Sequence, residues 1–205
     1  MHEQALTKQS SILLPQFAKF SGFYLVGGTA LALQIGHRLS VDFDFFTFGE
    51  LPQGLLAKIK QVFSVSSISV TYRVPEQLNV LIDGIQTTFL YYPYPIINSF
   101  VVYNGVNLAS VQEIAAMKAF SIGKRLSYKD YVDWYFLLKE NHVKLIEVIA
   151  LCQKKFGNDF NDKLFLGQLV SMEDIPVQKI NFLRDPVERH AIQELLESKV
   201  RDAGL

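Results

Sequence analysis

The chain has 205 residues, 49% hydrophobic and 20% charged, with 20 Lys+Arg balanced by 20 Asp+Glu. That composition supplies the apolar material for a buried core and excludes a disordered or disulfide-scaffold protein. Zero net charge excludes a generally basic nucleic-acid coat. Cys152 is the single cysteine, which removes internal disulfides and suits a reducing compartment. The N-terminal MHEQALTKQS is polar, without the layout of a signal peptide, and no apolar run approaches the roughly 18 residues of a membrane span. The expectation is a cytoplasmic domain with no membrane attachment.

In chain order, residues 3–20 read as a helix started or bent by Pro15. The apolar run 23–26 suits a short buried strand. Gly27-Gly28-Thr29 interrupts it, and residues 30–38 read as a helix. Residues 41–46 alternate acidic with apolar or aromatic side chains, which is strand periodicity. A helix is expected over 52–63 and a strand over 65–73. Two more strands, 77–82 and 85–92, are joined by Asp83-Gly84, a strong two-residue hairpin signal. Residues 98–103 form an apolar run suited to a sheet edge or a partner surface.

The character then becomes helical. Ser110-Val111-Gln112-Glu113 and Ser127-Tyr128-Lys129-Asp130 each have the form of a capping box, opening helices through Lys124 and Lys139. Further helices are expected over 142–156, 159–170 and 186–202. The fold class is therefore α/β (α+β): a mixed-sheet core over residues 1–106, followed by a helical region over 107–205 packed on that core. Charge is uneven along this plan. Residues 118–155 carry 8 basic and 4 acidic side chains, enough for a local surface facing a polyanion or, equally, for a solvated helical face.

Three features lie close together: Gly27-Gly28-Thr29, Arg38-Leu39-Ser40 and Asp42-Phe43-Asp44. Residues two apart on a strand share a face, so Asp42 and Asp44 project together while Val41, Phe43 and Phe45 point to a core. Two carboxylates on one face repel unless a cation lies between them. Mg²⁺ (or Mn²⁺) suits them, being held by one or two carboxylates plus substrate phosphates. Glycines between a strand and a helix let backbone N–H groups approach a phosphate. Thr29 is placed to cap the helix and bind a phosphate oxygen. Arg38 and Ser40 complete the nucleotide-binding end. These are the parts of metal-assisted phosphoryl or nucleotidyl transfer. Lys118 and Arg125 are seven apart and share a helical face, suited to one anion. Lys129 and Asp133 are spaced as an i,i+4 pair. His37 shows no metal-ligand spacing, and Cys152 reads as core.

The stretch LVGGTALALQIGHRLSVDFDFF at 25–46 resembles the nucleotidyltransferase core of the AbiEii/AbiGii toxin family, within the DNA polymerase β-like nucleotidyltransferase superfamily. YYPYP at 91–95 and NLASVQEIAAMKAFSIGKRLSYKDYVDWYFLL at 107–138 follow in the family's order. The resemblance implies a nucleotidyltransferase-like mixed sheet with flanking helices. It implies that Asp42 and Asp44 bind metal and the triphosphate of an NTP, and that Gly27, Gly28 and Thr29 contact phosphate. It matches Lys118 to a triphosphate-contacting lysine, Asp130 to a further acidic position, and Arg125 and Lys129 to phosphate or RNA contacts. It further implies a toxin that adds nucleotides to RNA, notably transfer RNA, and that is restrained by a cognate antitoxin. The third carboxylate common in the superfamily falls at Thr88, which keeps open the alternative of an inactive module that binds nucleotide, RNA or a partner protein.

Overall fold

The sheet is assembled from strands far apart in the chain, and its order decides where the paired carboxylates come to rest. The structure is a computed structural model that describes residues 1–124 and 127–204. Seven strands make up the sheet: β1 (Tyr24–Val26), β2 (Phe43–Thr47), β3 (Ile68–Val74), β4 (Gln77–Ile82), β5 (Ile85–Tyr91), β6 (Val101–Tyr103) and β7 (Val106–Leu108). Their order is β3-β4-β5-β2-β1-β7-β6. β2 runs antiparallel to β1 and parallel to β5, so the acidic strand lies near the middle of the sheet. The expected edge at 98–103 is β6. β7 extends the sheet to Leu108, across the expected boundary at 106.

β2 alternates as its sequence requires: Phe43, Phe45 and Thr47 are buried, while Asp44 and Phe46 face the other side. Val41 does not join the core; it lies before the strand and is 39% exposed. The buried rings gather on Phe17, whose centroid lies 4.5 Å from Phe45, 4.9 Å from Phe63 and 5.2 Å from Phe43. This aromatic layer seals one face of the sheet. The hairpin forms as expected, with Asp83 (φ 49°) and Gly84 (φ 81°) both left-handed, the conformation a tight type I′ turn demands.

The helices are α1 (Lys8–Leu13), α2 (Gly27–Ile35), α3 (Leu55–Val62), α4 (Val111–Ser121), α5 (Tyr128–Lys139), α6 (Leu145–Phe156), α7 (Asp162–Val170) and α8 (Arg189–Asp202). The expected helix over 3–20 is split. Thr7 Oγ1 accepts from Ser10 N and caps α1, after which a tighter turn over Leu14–Lys19 carries Pro15. Both capping boxes form incompletely. Ser110 Oγ accepts from Glu113 N at 3.3 Å, but Ser127 makes no side-chain cap. α4 stops at Ser121, short of Lys124, and Gly123 follows with φ 78°.

Glu113 has a different task. Its carboxylate accepts from the backbone N–H of Ile97 (2.7 Å) and Asn98 (2.8 Å) and from Lys155 Nζ (2.9 Å). Lys155 also donates to the Pro95 carbonyl. This ion pair is fully buried and pins the loop after β5 to α4 and α6. Cys152 lies beside it in the core, where burial pushes the thiol up to about 12. Removing one partner of such a pair strands a buried charge, at a cost of about 3–5 kcal/mol. Lys155→Met alone is expected to lower the melting temperature by roughly 6–20 °C. Adding Glu113→Gln should recover part of that loss in calorimetry, because the stranded carboxylate is gone.

Candidate active site

Asp44 is set by three neighbours. Its Cα pairs with Val26 on β1 and with Thr88 on β5, and its carboxylate lies over Gly27. A Cβ added at Gly27 would stand 2.7 Å from Asp44 Oδ2, and Gly27 has φ 70°. Glycine is required there both for conformation and for space. At Gly28 a Cβ would meet the Arg38 guanidinium at 2.5 Å. The two glycines thus let a carboxylate and a guanidinium close in on the first turn of α2.

Thr29 is 2% exposed. It does not cap α2, whose N-cap is Val26. Its hydroxyl donates to the carbonyl of Asp42 and bonds the Ser40 hydroxyl at 2.8 Å. It therefore fixes the chain entering β2, where Asp42 is exposed just before the strand and lines the same cavity as Asp44.

Behind these carboxylates lies a buried charge network. Arg38 donates from Nε to Asp133 Oδ1 (2.7 Å) and from Nη2 to Asp133 Oδ2 (3.0 Å). Lys118 Nζ lies 2.6 Å from Asp133 Oδ2 and 2.7 Å from Asp130 Oδ1. His37 Nε2 lies 2.7 Å from Asp133 Oδ1. Asp133 is 0% exposed. Burial alone would raise its pKa, but Arg38, Lys118 and the His37 hydrogen bond hold it well below the usual carboxylate range. Burial likewise opposes charge on Lys118, yet Asp133 and Asp130 raise its pKa above the ordinary lysine value. Burial lowers His37 against the pull of Asp133. Its Nδ1 has no hydrogen-bond partner, which fits a neutral ring donating from Nε2.

This geometry replaces two readings of the sequence. Asp133 does not pair with Lys129, which is exposed in the cavity wall. It faces inward and takes Arg38, Lys118 and His37 instead. Asp130 is not explained as a capping residue, since its carboxylate is bound by Lys118. Asp133 and His37 were missed as members of the site. The available signal was an acidic residue inside the apolar run 131–138, which must find a partner if the run is buried.

One cavity of about 390 Å³ collects Gly28, Thr29, Arg38, Ser40, Asp42, Asp44, Lys118, Lys129 and Asp130, with Thr7, Lys179 and Asn181 also in its walls. Gly27 lies beneath Asp44. Arg125 lies outside the described residues. A larger hollow of about 660 Å³, among Glu50, Leu51, Leu56, Arg73, Glu76 and Tyr91 beyond the far end of β2, contains carboxylates but no Gly-Gly turn, whereas the smaller cavity combines aspartates with the glycine turn and buried cations. Among the described residues no three or more His, Cys, Asp or Glu side chains group as a metal cage. Asp42 and Asp44 form an oxygen donor pair of the kind Mg²⁺ shares with substrate phosphates, and Thr88 stands beside Asp44 on β5 without adding charge.

Known proteins resemble this chain in sequence and in fold. The family described as "Nucleotidyl transferase AbiEii toxin, Type IV TA system" matches residues 11–99. The uncharacterized protein aq_aa25 of Aquifex aeolicus (strain VF5) is 36% identical over 183 residues, covering 88% of this chain and 87% of that protein. A Helicobacter pylori protein solved as a proposed nucleotidyltransferase superposes with a TM-score of 0.62 at 18% identity, over 100% of this chain and 98% of that one. JHP933 from Helicobacter pylori superposes with a TM-score of 0.53 at 17% identity, over 98% and 97%. At those identities the two structures speak for the fold. No helix among the described residues is long and apolar enough to cross a membrane.

The network makes stability depend on acid. With its native pKa depressed, Asp133 contributes stability that is present above the unfolded carboxylate value and lost as pH falls toward the native one. Asp133→Asn is expected to cost about 3–5 kcal/mol at neutral pH. It should also flatten the decline of stability below about pH 5, measured by urea denaturation across pH. A wild-type-like acid slope in this variant would contradict the assignment.

Proposed function

The chain belongs to the AbiEii nucleotidyltransferase toxin family, and from that premise we propose that it moves a nucleoside monophosphate from an NTP to an acceptor hydroxyl on RNA, transfer RNA or one like it. A family of toxin–antitoxin systems supplies two partners, a nucleotide substrate and an antitoxin that restrains the toxin; the RNA acceptor is our reading. The observation that carries it is the packing of the Asp44 carboxylate against Gly27, in one cavity with Asp42, Arg38, Ser40, Lys118 and Lys129.

In the proposed reaction the acceptor oxygen attacks the α-phosphorus, the bond to the β-phosphate oxygen breaks, and pyrophosphate leaves. The hydroxyl proton passes to solvent. Asp42 and Asp44 would hold Mg²⁺ or Mn²⁺, which supplies positive charge against the triphosphate and the departing pyrophosphate. Gly27 and Gly28 keep the first turn of α2 open to phosphate. Ser40 offers a hydroxyl at the same wall. Asp130, bound by Lys118, serves to position that lysine. Thr88 is no competent base, and none of these roles depends on it.

A second reading, a module that binds nucleotide, RNA or a partner protein without turnover, is favoured by one observation: Thr88 pairs with Asp44 where the superfamily's third carboxylate is expected. Incubation of total RNA with each α-³²P-labelled NTP and Mg²⁺ or Mn²⁺ separates the two. Labelled RNA is expected with wild type. The Asp42→Ala/Asp44→Ala variant should lose more than about 100-fold of the label. If wild type leaves RNA unlabelled while NTP with Mg²⁺ still raises its melting temperature, the binding module is the correct description.

A further inference from the structure

Residues 171–188 connect α7 to α8 with no helix or strand of their own, yet they are firmly fastened. Met172 and Ile175 are buried in the core. Arg189 donates to the carbonyls of Met172, Glu173 and Ile175, and Arg184 donates to those of Ile35 and Gly36. Between these anchors the segment runs antiparallel to residues 37–39. Leu39 N donates to Asn181 O at 2.8 Å, Leu183 N donates to His37 O at 3.1 Å, and Arg38 bridges Phe182. On its next residue the same stretch is held from the N-terminal segment, where Ser40 N donates to Ala5 O at 2.8 Å. The strap thereby sets Lys179, Ile180 and Asn181 into the wall of the cavity that holds Asp42 and Asp44.

Charge decides which of these matters. Inside the cavity, Arg38 and Lys118 are matched by Asp133 and Asp130, so this buried quartet is neutral. Asp42 and Asp44 add negative charge, which a divalent cation would offset. Among the described residues, neither sum leaves positive charge for the remaining phosphates of an incoming nucleotide. Among the described residues lining the cavity, the other two cations are Lys129 and Lys179. Both are exposed, and neither makes an ion pair with a described residue. Lys129 is already placed in the site through α5. Lys179 lies on the strap, far outside the span of the family match.

We propose that Lys179 is a phosphate-binding residue of this site, reaching the triphosphate of the incoming NTP from the wall built by the strap. The proposal rests on the nucleotide reading given above and adds a residue to it. An exposed ammonium suits this task because it keeps its hydration and mobility until the anion arrives. The strap limits its reach to the cavity.

The test is equilibrium dialysis of labelled NTP with Mg²⁺, and of inorganic tripolyphosphate, against wild type, Lys179→Ala, Lys179→Arg and Lys179→Glu. KM for NTP and for RNA would be measured alongside. Lys179→Ala should weaken both ligands by about fivefold, the upper end for one exposed ion pair. KM for NTP should rise with kcat and KM for RNA unchanged. Lys179→Arg should restore binding and Lys179→Glu should weaken it further. All three should melt with wild type, since the exposed Lys179 side chain makes no hydrogen bond or ion pair with a described residue. A wild-type affinity of Lys179→Ala for both ligands, with transfer intact, would overturn the proposal and leave the nucleotidyltransferase reading standing. A raised KM for RNA alone would also overturn it, assigning the lysine to the acceptor backbone. Wild type that binds neither ligand would sink the nucleotide reading and this proposal together.

Discussion

A single carboxylate, that of Asp133, holds the two halves of the molecule in register. It is fully enclosed, and it is tolerable there only because Arg38 approaches from the end of α2, Lys118 from α4 and His37 from beside Arg38. The first 106 residues supply the guanidinium and the imidazole, and the helices after them supply the lysine and both aspartates. A buried ion cluster of this kind contributes little net stability over a well-packed apolar replacement, yet losing one member is costly. Its value is geometric, because only one docking of α4 and α5 on α2 satisfies every charge.

That docking also creates the cavity. The Arg38 guanidinium is drawn toward Asp133 across Gly28, where any side chain would stand in its way. Asp44 leans over Gly27 for the same reason of space. The glycine pair thus serves closeness on both sides, and the open first turn of α2 is left facing the paired carboxylates. Thr29 completes the arrangement by tying its hydroxyl to Asp42 and Ser40. The glycine turn, the aspartates and the buried charge network are all consequences of how tightly α2, β2 and α5 approach one another.

Much of this was legible because the signals are local. The Asp83-Gly84 hairpin reads from two residues, since both need left-handed backbone. The aromatic layer under Phe43 and Phe45, with Asp44 on the opposite face, follows from the two-residue repeat of a strand; Asp42 lies before β2, beyond the reach of that repeat. What could not be read is what depends on residues distant in sequence. Arg38 and Asp133 are separated by 95 positions, and helix spacing offered Asp133 a nearer and simpler partner in Lys129. The lengths of α1 and α4 were misjudged where a cap or a glycine outweighed the apolar pattern, at Thr7 and Gly123. The strap over 171–188 has no periodicity, because its long-range backbone bonds go to His37 and Leu39 and its internal bond, from Ile175 N to Met172 O, makes only a single turn.

The strap also explains why the loop carrying Arg38 and Ser40 needs support from outside the sheet. Residues 36–41 leave α2 through Gly36, with φ 65°, and reach β2 in extended form. Their N–H and carbonyl groups would be left unpaired in a largely buried stretch. Ala5 and Leu6 satisfy one side and Asn181 to Leu183 the other. Segments distant in sequence on both sides therefore converge on the short connection that aims Arg38 inward and carries Asp42 to the cavity wall. The position of both groups is settled by segments more than 30 residues before and 130 residues after it in the chain only where those segments are long-range partners; in the N-terminal case the bond from Ser40 to Ala5 spans 35 positions, and in the C-terminal case the bond from Leu39 to Asn181 spans 142. Loosening either clamp would free the connection while leaving the sheet intact, so the precision of the site rests on parts of the chain that contribute no carboxylate to it.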